Sequence, residues 1–385
     1  MNFHDPDAET AGAILTIDLG ALADNWRLLA AKHANNQCAA VVKADAYGVG
    51  VRPAGKALHA AGCRIFFVAH PTEGVRLRKV LPDVEIHVLN GFCAPAMVYL
   101  DHDLIPVLNS LDQIRAWADL SKARGGGLPA DIHVDTGMRR LGLPRDELAA
   151  LAADPSPTRA FRPKYLMTHL ACADEPAHHL NAEQLKCFRR VRTSLRDIPF
   201  EGASMANSSG IFLGPDYHAD LPRPGVALYG SNPTPGRTNP MAQVIRLEAK
   251  ILQVRAIDSP ETVGYGATFR ARGPMRVATI AAGYADGFLR AASGRASGHR
   301  HTAFMGDRPV PLLGRISMDL IVVDVTAIDP AEAREGAYVD LIGPNNDIDS
   351  VARAAGTIGY EVLTGLGTRY HRQFPGHPDE TRGEA

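Results

Sequence analysis

A lysine closes a short apolar run in Val41-Val42-Lys43-Ala44-Asp45-Ala46-Tyr47-Gly48-Val49-Gly50, with a tyrosine four positions on and glycines beyond it. A run of this kind that stops at Asp, Tyr and Gly reads as a buried strand ending at a functional loop. An amine at that point can be held neutral and nucleophilic, although alone it could equally be a surface lysine. Much later, Val263-Gly264-Tyr265-Gly266-Ala267-Thr268-Phe269 sets a phenol between two glycines. A phenol there could move a proton if its environment lowered its pKa of about 10, or could simply decorate a hairpin. Between them lie Asp135-Thr136-Gly137-Met138-Arg139-Arg140, His169, Asn207-Ser208-Ser209-Gly210 and Arg223-Pro224-Gly225-Val226. A guanidinium at Arg140, or its neighbour Arg139, suits a carboxylate. Hydroxyls and backbone N–H groups of small-residue loops, here Ser208 and Gly225-Val226, suit a phosphate dianion.

These groups need elements to converge them. After an opening strand at 14–19, apolar runs recur at 39–43, 65–69, 86–89, 105–109, 131–135, 165–169, 202–207 and 226–230, with helix-compatible stretches such as 111–122 and 182–195 between them. Alternating strands and helices predict parallel pairing with right-handed crossovers, and eight such units fit a (β/α)8 barrel. An open doubly wound sheet is the alternative, but no G-x-G-x-x-G follows the first strand. In a barrel, chemistry gathers at the C-terminal strand ends. Lys43, His169 and Asn207 fall at such ends, the Asp135–Arg140 loop follows one, and Arg223 leads into the last.

The loop-like stretch 234–240 separates this pattern from a β-rich one, with runs at 244–257, 276–281, 310–313, 320–325 and 338–342 and one helical stretch at 349–356. The expected organisation is a barrel over 12–240, a mostly β domain over 241–376 and a polar tail over 377–385. Basic and acidic residues balance at 41 and 42, which excludes a global field for nucleic acid or membrane surface. The five cysteines are scattered, with no C-x-x-C spacing, so a disulfide framework is not expected and a reducing cytoplasm is. Neither a signal pattern nor a membrane-length apolar stretch is present.

The Lys43 and Tyr265 segments together resemble the two signature segments of bacterial alanine racemases, and the resemblance runs over about residues 12–375, including both domains. It implies a pyridoxal 5'-phosphate enzyme that interconverts L- and D-alanine for cell-wall synthesis. Lys43 would carry the cofactor and act as base on one face of the substrate; Tyr265, from the partner subunit of a homodimer, would act on the other. Tyr47, Ser208 and Tyr360 match phosphate-binding positions, and Asn207, Gly225 and Val226 match their surroundings. Arg223 matches the arginine facing the pyridine nitrogen, with His169 hydrogen-bonded to it. An arginine stays protonated and gives that nitrogen no full proton, which favours return of the proton to Cα. Arg140, Met318 and Tyr284 match substrate-contacting positions. The family pattern also places strand 14–19 in the β domain.

One position departs from the pattern. Many relatives have a carbamylated lysine, a fixed anion, where this sequence has His133, and a neutral histidine cannot supply that charge. A broader amino-acid racemase, acting on serine, lysine or arginine, is the alternative. A decarboxylase relative would need a cysteine in the C-terminal part, and none lies beyond Cys187. A metal-assisted aldolase would leave the Tyr265 loop unexplained, and a cofactor carrier would leave the β domain so.

Overall fold

The computed structural model describes residues 6–35, 37–293 and 301–375; the tail expected from His377 lies outside them. The chain divides into two compact units. A barrel unit holds Leu22–Leu228 and Asn232–Met241. A β unit holds the residues up to Ala21, Tyr229–Ser231 and those from Ala242 onward. The chain thus begins in the β unit with β1 (Ala13–Ile17) and passes into the barrel unit within α1 (Leu19–Ala31).

The barrel unit follows as β2 (Ala40–Val41), a single turn α2 (Lys43–Tyr47), α3 (Val51–Ala61), β3 (Ile65–Val68), α4 (Pro71–Val80), β4 (Glu85–Val88), α5 (Ala96–Leu100), β5 (Leu104–Leu108), α6 (Leu111–Ala123), β6 (Pro129–His133), α7 (Arg145–Ala153), β7 (Arg162–Met167), α8 (His179–Ser194) and β8 (Gly202–Ser204). β3 and β5 are buried at every position, as strands covered on both faces must be. The seven strands pair in sequence order, all parallel.

The expected eighth strand at 226–230 is not a strand: Val226–Tyr229 forms a buried 3-10 turn. The ring is instead bridged just before it. Ala39 and Val41 donate to the Pro222 and Pro224 carbonyls, each at 3.0 Å, while the Arg223 N–H donates to the Ala206 carbonyl at 2.9 Å on the other side. Both residues facing β2 are prolines, which accept but cannot donate, so this closure carries half a ladder. It also fixes Arg223 between the first and last strands.

In the β unit the strands are β9 (Ile245–Ile257), β10 (Thr262–Val263), β11 (Phe269–Arg270), β12 (Met275–Ile280), β13 (Thr302–Met305), β14 (Arg308–Leu313), β15 (Ile321–Asp324), β16 (Tyr338–Ile342) and β17 (His371–Gln373). Two helices precede β17: α9 (Ile348–Ala355) and α10 (Gly359–Gly365); the second was not expected. β9 pairs with β16 and β1 through its first half and with β12 through its second, so the order β12-β15-β14-β13-β16-β9 closes on itself through the β12–β9 pair. β1 lies on β9 in antiparallel register, Ala13 opposite Ala249 and Ile17 opposite Ile245, and β17 flanks β1. Among the described residues no helix is long and apolar enough to cross a membrane.

A histidine buried in this unit makes its stability pH-dependent. His301 is 2% exposed, and its Nε2–H donates to the Leu341 carbonyl at 2.7 Å. Burial pushes its pKa down to about 4. The folded value lies below the unfolded one, so the contribution is whole above roughly pH 6.5 and is lost as the pH falls towards 4. Lowering the pH from 7 to 5 should remove about 2 kcal/mol through this group. Denaturant melts at both pH values should show that share of the difference missing in His301→Gln.

Candidate active site

Beyond β2 the backbone turns against its usual hand. Val42 N–H still pairs with the Phe67 carbonyl at 2.9 Å, but Ala44, Asp45, Ala46 and Tyr47 all lie in the left-handed region, with φ of 53, 53, 54 and 56°. Such a conformation costs about 1–2 kcal/mol per non-glycine residue and persists only where the surroundings enforce it. The enforcing contacts are present. Ala46 and Gly48 donate to the Val42 and Ala44 carbonyls at 2.9 Å each, and Val51 N–H donates to Asp45 Oδ1 at 2.8 Å. Glu73, at the start of α4, accepts from Ala44 N–H through Oε1 at 2.7 Å and from Ala69 and His70 N–H through Oε2 at 2.8 and 3.0 Å. Lys43 is thereby fixed at the strand end. Burial, aided by the Arg140 and Arg223 charges and opposed by Glu73, lowers its pKa, which brings the neutral, nucleophilic amine within reach.

Across the ring, Ser208 Oγ accepts from Gly225 N–H at 2.9 Å and Ala227 N–H at 3.2 Å. Both its lone pairs are engaged, so this 2% exposed hydroxyl has only its proton to offer. Asn207 shapes that loop: its Oδ1 accepts from Gly210 N–H at 2.9 Å and its Nδ2 donates to the Leu170 carbonyl at 3.3 Å. Gly225 is packed so closely that a Cβ there would lie 2.3 Å from Tyr47 Oη. Val226 begins the 3-10 turn beside it.

Arg223 is buried. Its Nε donates to Ser204 Oγ at 2.7 Å and its Nη2 to the Thr168 carbonyl at 2.5 Å, and neither of these is the expected hydrogen bond to the His169 ring. Burial brings its pKa down to about 10, leaving it charged at neutral pH. That charge still acts on His169, whose pKa lies well below the usual value, first through burial and then through Arg223 and Arg140. His169 is a neutral ring here. Of the two candidate arginines at 139 and 140, Arg140 is the one whose charge bears on Lys43, His133 and His169.

Besides Glu73, three participants were not legible beforehand. Asn109 donates through Nδ2 to the Leu89 and Val107 carbonyls at 3.1 and 2.8 Å, which fixes its Oδ1 as the acceptor for His133 Nδ1 at 2.7 Å. The proton of His133 therefore sits on Nδ1 and its Nε2 is a lone pair. Burial and the Arg223 charge push its pKa down to about 4, so His133 provides a neutral acceptor and no negative charge. Asp131 and His87 form the other unforeseen pair, inside the barrel. His87 Nδ1 meets Asp131 Oδ2 at 2.6 Å, and the His87 ring stacks 4.6 Å from Phe67, over which the Arg223 guanidinium lies at 5.7 Å. Asp131 is the carboxylate whose field favours the Arg223 cation.

The remaining predicted residues lie in the β unit and are exposed. Tyr265 caps the β10–β11 hairpin, is 70% exposed, and precedes Gly266, against which the Arg315 guanidinium packs. Tyr284 and Met318 stand on adjoining loops: Tyr284 and Ala285 N–H donate to the Ser317 and Met318 carbonyls at 3.1 and 2.9 Å. Tyr360 is on α10. The barrel unit thus gathers Lys43, Tyr47, Arg140, His169, Asn207, Ser208, Arg223, Gly225 and Val226.

Residues 17–233 match the family described as "Alanine racemase, N-terminal domain", and residues 244–374 match "Alanine racemase, C-terminal domain". The chain belongs to the alanine racemase family. Among curated relatives, the alanine racemase of Rhodospirillum rubrum is 52% identical over 96% of this chain and 97% of its own length. The catabolic alanine racemase of Mesorhizobium japonicum is 49% identical over 95% and 94%. Among solved structures, alanine racemase from Bartonella henselae with covalently bound pyridoxal phosphate superposes with a TM-score of 0.88 at 42% identity, covering 94% of this chain and 99% of that one. As a racemase, the chain is an isomerase acting on amino acids, and the strand-end cluster around Lys43 is the natural place for its chemistry.

Proposed function

We propose that this chain racemises alanine with pyridoxal phosphate bound covalently to Lys43, by a two-base mechanism in which Tyr265 serves the partner subunit of a homodimer. The observation that carries the proposal is the convergence at one barrel end of a Lys43 amine disfavoured as a cation, the Ser208 proton and the Arg223 and Arg140 charges. The residues fit the cofactor. Ser208 has only a proton left to donate, which suits a phosphate oxygen. Because Gly225 lacks a Cβ, the Tyr47 hydroxyl can stand directly against this turn, which places it beside the Ser208 proton. The covalently bound cofactor of the Bartonella relative supports the same assignment.

When bound, pyridoxal phosphate withdraws the electron pair left on Cα as its proton departs. This chain's residues do the rest. Tyr47, Ser208 and the Gly225-Val226 turn hold the phosphate, with Asn207 keeping the Ser208 loop in shape. Arg223, tied to Ser204 and Thr168, presents a charged donor that cannot release its proton to the pyridine nitrogen, and neutral His169 lies within its field. Arg140 and the Met318 backbone hold the substrate carboxylate, and Tyr284 lines the substrate entrance. Lys43 takes or returns the Cα proton on one face and Tyr265 on the other, so stereochemistry is lost only when both act. The exposure of Tyr265, Tyr284, Met318 and Tyr360 on one protomer supports a partner covering them. The product would feed cell-wall synthesis in the cytoplasm.

A chiral assay with pyridoxal phosphate and L-alanine tests the reading. D-alanine should accumulate to an equal mixture, and no D-alanine from cofactor-loaded protein would overturn it. The cradle has its own test. In Gly225→Ala the new Cβ must push the Tyr47 hydroxyl aside. Losing a hydrogen bond to a charged group costs about 1.5–3 kcal/mol, so the cofactor should dissociate about 10- to 100-fold more readily from the variant in equilibrium dialysis.

A further inference from the structure

We infer that Arg369 is a positioning residue for the substrate, locking together the loops that carry Tyr284 and Met318. The inference rests on the proposed roles of those two residues. Arg369 stands just before β17, beyond the end of α10. Its Nε donates to Asp286 Oδ1 at 2.6 Å and its Nη1 to Asp319 Oδ1 at 2.8 Å. Asp286 lies two residues after Tyr284, and Asp319 follows Met318 directly. One planar guanidinium therefore spans both loops, which a lysine's point charge cannot do with the same geometry.

The surrounding contacts make the clamp specific. Asp286 is buried, and its second oxygen accepts from Gly283 N–H at 2.8 Å, holding the Tyr284 turn closed. The Gly283 and Met318 backbones touch so closely that a Cβ on Gly283 would lie 2.3 Å from the Met318 carbonyl. The segment bearing Arg369 is itself seated on this turn: Gly367 N–H donates to the Asp286 carbonyl at 2.8 Å, and a Cβ on Gly287 would collide with the Gly365 carbonyl. Backbone pairing brings the two loops together at residues 284–285 and 317–318, and the Arg369 fork joins the carboxylates that lie just beyond those pairs. It contacts neither Tyr284 nor Met318 by hydrogen bond, so its influence on substrate is exerted through the loops.

Three variants of the cofactor-loaded enzyme test this: Arg369→Met, Arg369→Lys and Asp319→Asn. Asp319 is exposed, so its variant keeps the test available should Arg369→Met fail to fold. Arg369→Met should raise KM for L-alanine about tenfold with kcat within about twofold. Inhibition by propionate, which carries alanine's carboxylate without its amine, should weaken in parallel. Arg369→Lys should recover part of the loss, and adding Asp319→Asn to Arg369→Met should cost nothing further, because the two act as one contact. An unchanged KM and unchanged propionate inhibition in both Arg369→Met and Asp319→Asn, whatever the melting temperature, would overturn the inference. Tyr284→Phe separates the two levels. If it raises KM while the Arg369 and Asp319 variants do not, the clamp is wrong and the substrate role of the loop stands. If Tyr284→Phe also leaves KM and propionate inhibition unchanged, the reading of that loop falls and the clamp falls with it.

Discussion

Replacing Lys43 by alanine should abolish racemisation, with a fall of at least about 10⁴-fold, equivalent to about 5.4 kcal/mol of lost transition-state stabilisation. Two proposed functions would go at once: the covalent hold on the cofactor and the base on one face of Cα. The same variant should fold normally. In the wild type the Lys43 cation is disfavoured by burial and by Arg140 and Arg223, so its removal relieves a repulsion and leaves the Glu73 contacts to the loop backbone intact. The informative comparison is with Lys43→Arg, which keeps a charge but cannot form the covalent link. Both variants should lack the visible absorption of the covalently bound cofactor while melting within a few degrees of wild type. Turnover in either one at a tenth of the wild-type rate would remove Lys43 from the mechanism.

Tyr265→Phe should separate proton exchange from racemisation. Loss of one positioned acid–base group costs about 10²- to 10⁴-fold, so interconversion should fall by that factor while cofactor content stays unchanged. Lys43 would remain competent on its own face. In deuterium oxide the variant should therefore exchange the Cα hydrogen of one alanine enantiomer with retention, and leave the other almost untouched. Equal exchange of both enantiomers, or undiminished racemisation, would sink the two-base proposal. The residue suits so clean a test because of where it sits. It is 70% exposed at a hairpin tip, so losing its hydroxyl removes no buried hydrogen bond of its own protomer, and a change in activity reports on chemistry rather than folding.

The barrel was legible because its strands are covered on both faces, so 65–68 and 104–108 read as continuous apolar runs. The same rule misled at 226–230. Val-Ala-Leu-Tyr is apolar because it is buried, and burial alone does not distinguish a strand from a 3-10 turn. The segment that bridges the ring, with Pro222 and Pro224, reads as a strand breaker. It functions because only its carbonyls are needed on that side. The α10 helix went unseen because it runs from glycine to glycine over seven residues, too short for a periodic signal.

Sequence by itself singled out the candidate reactive groups. Lys43 and Tyr265 announce themselves through their immediate neighbours, since a strand-end amine and a glycine-flanked phenol are properties of short segments. Only the tertiary structure decided what those groups feel and what holds them. Glu73 bracing the Lys43 loop, Asp131 facing Arg223, Asn109 fixing the His133 proton and Arg369 joining two loops pair residues 24 to 92 positions apart. Hydrogen bonds and Coulomb forces act over a few ångströms of space and carry no mark of sequence separation, so such partnerships exist only once the chain has folded.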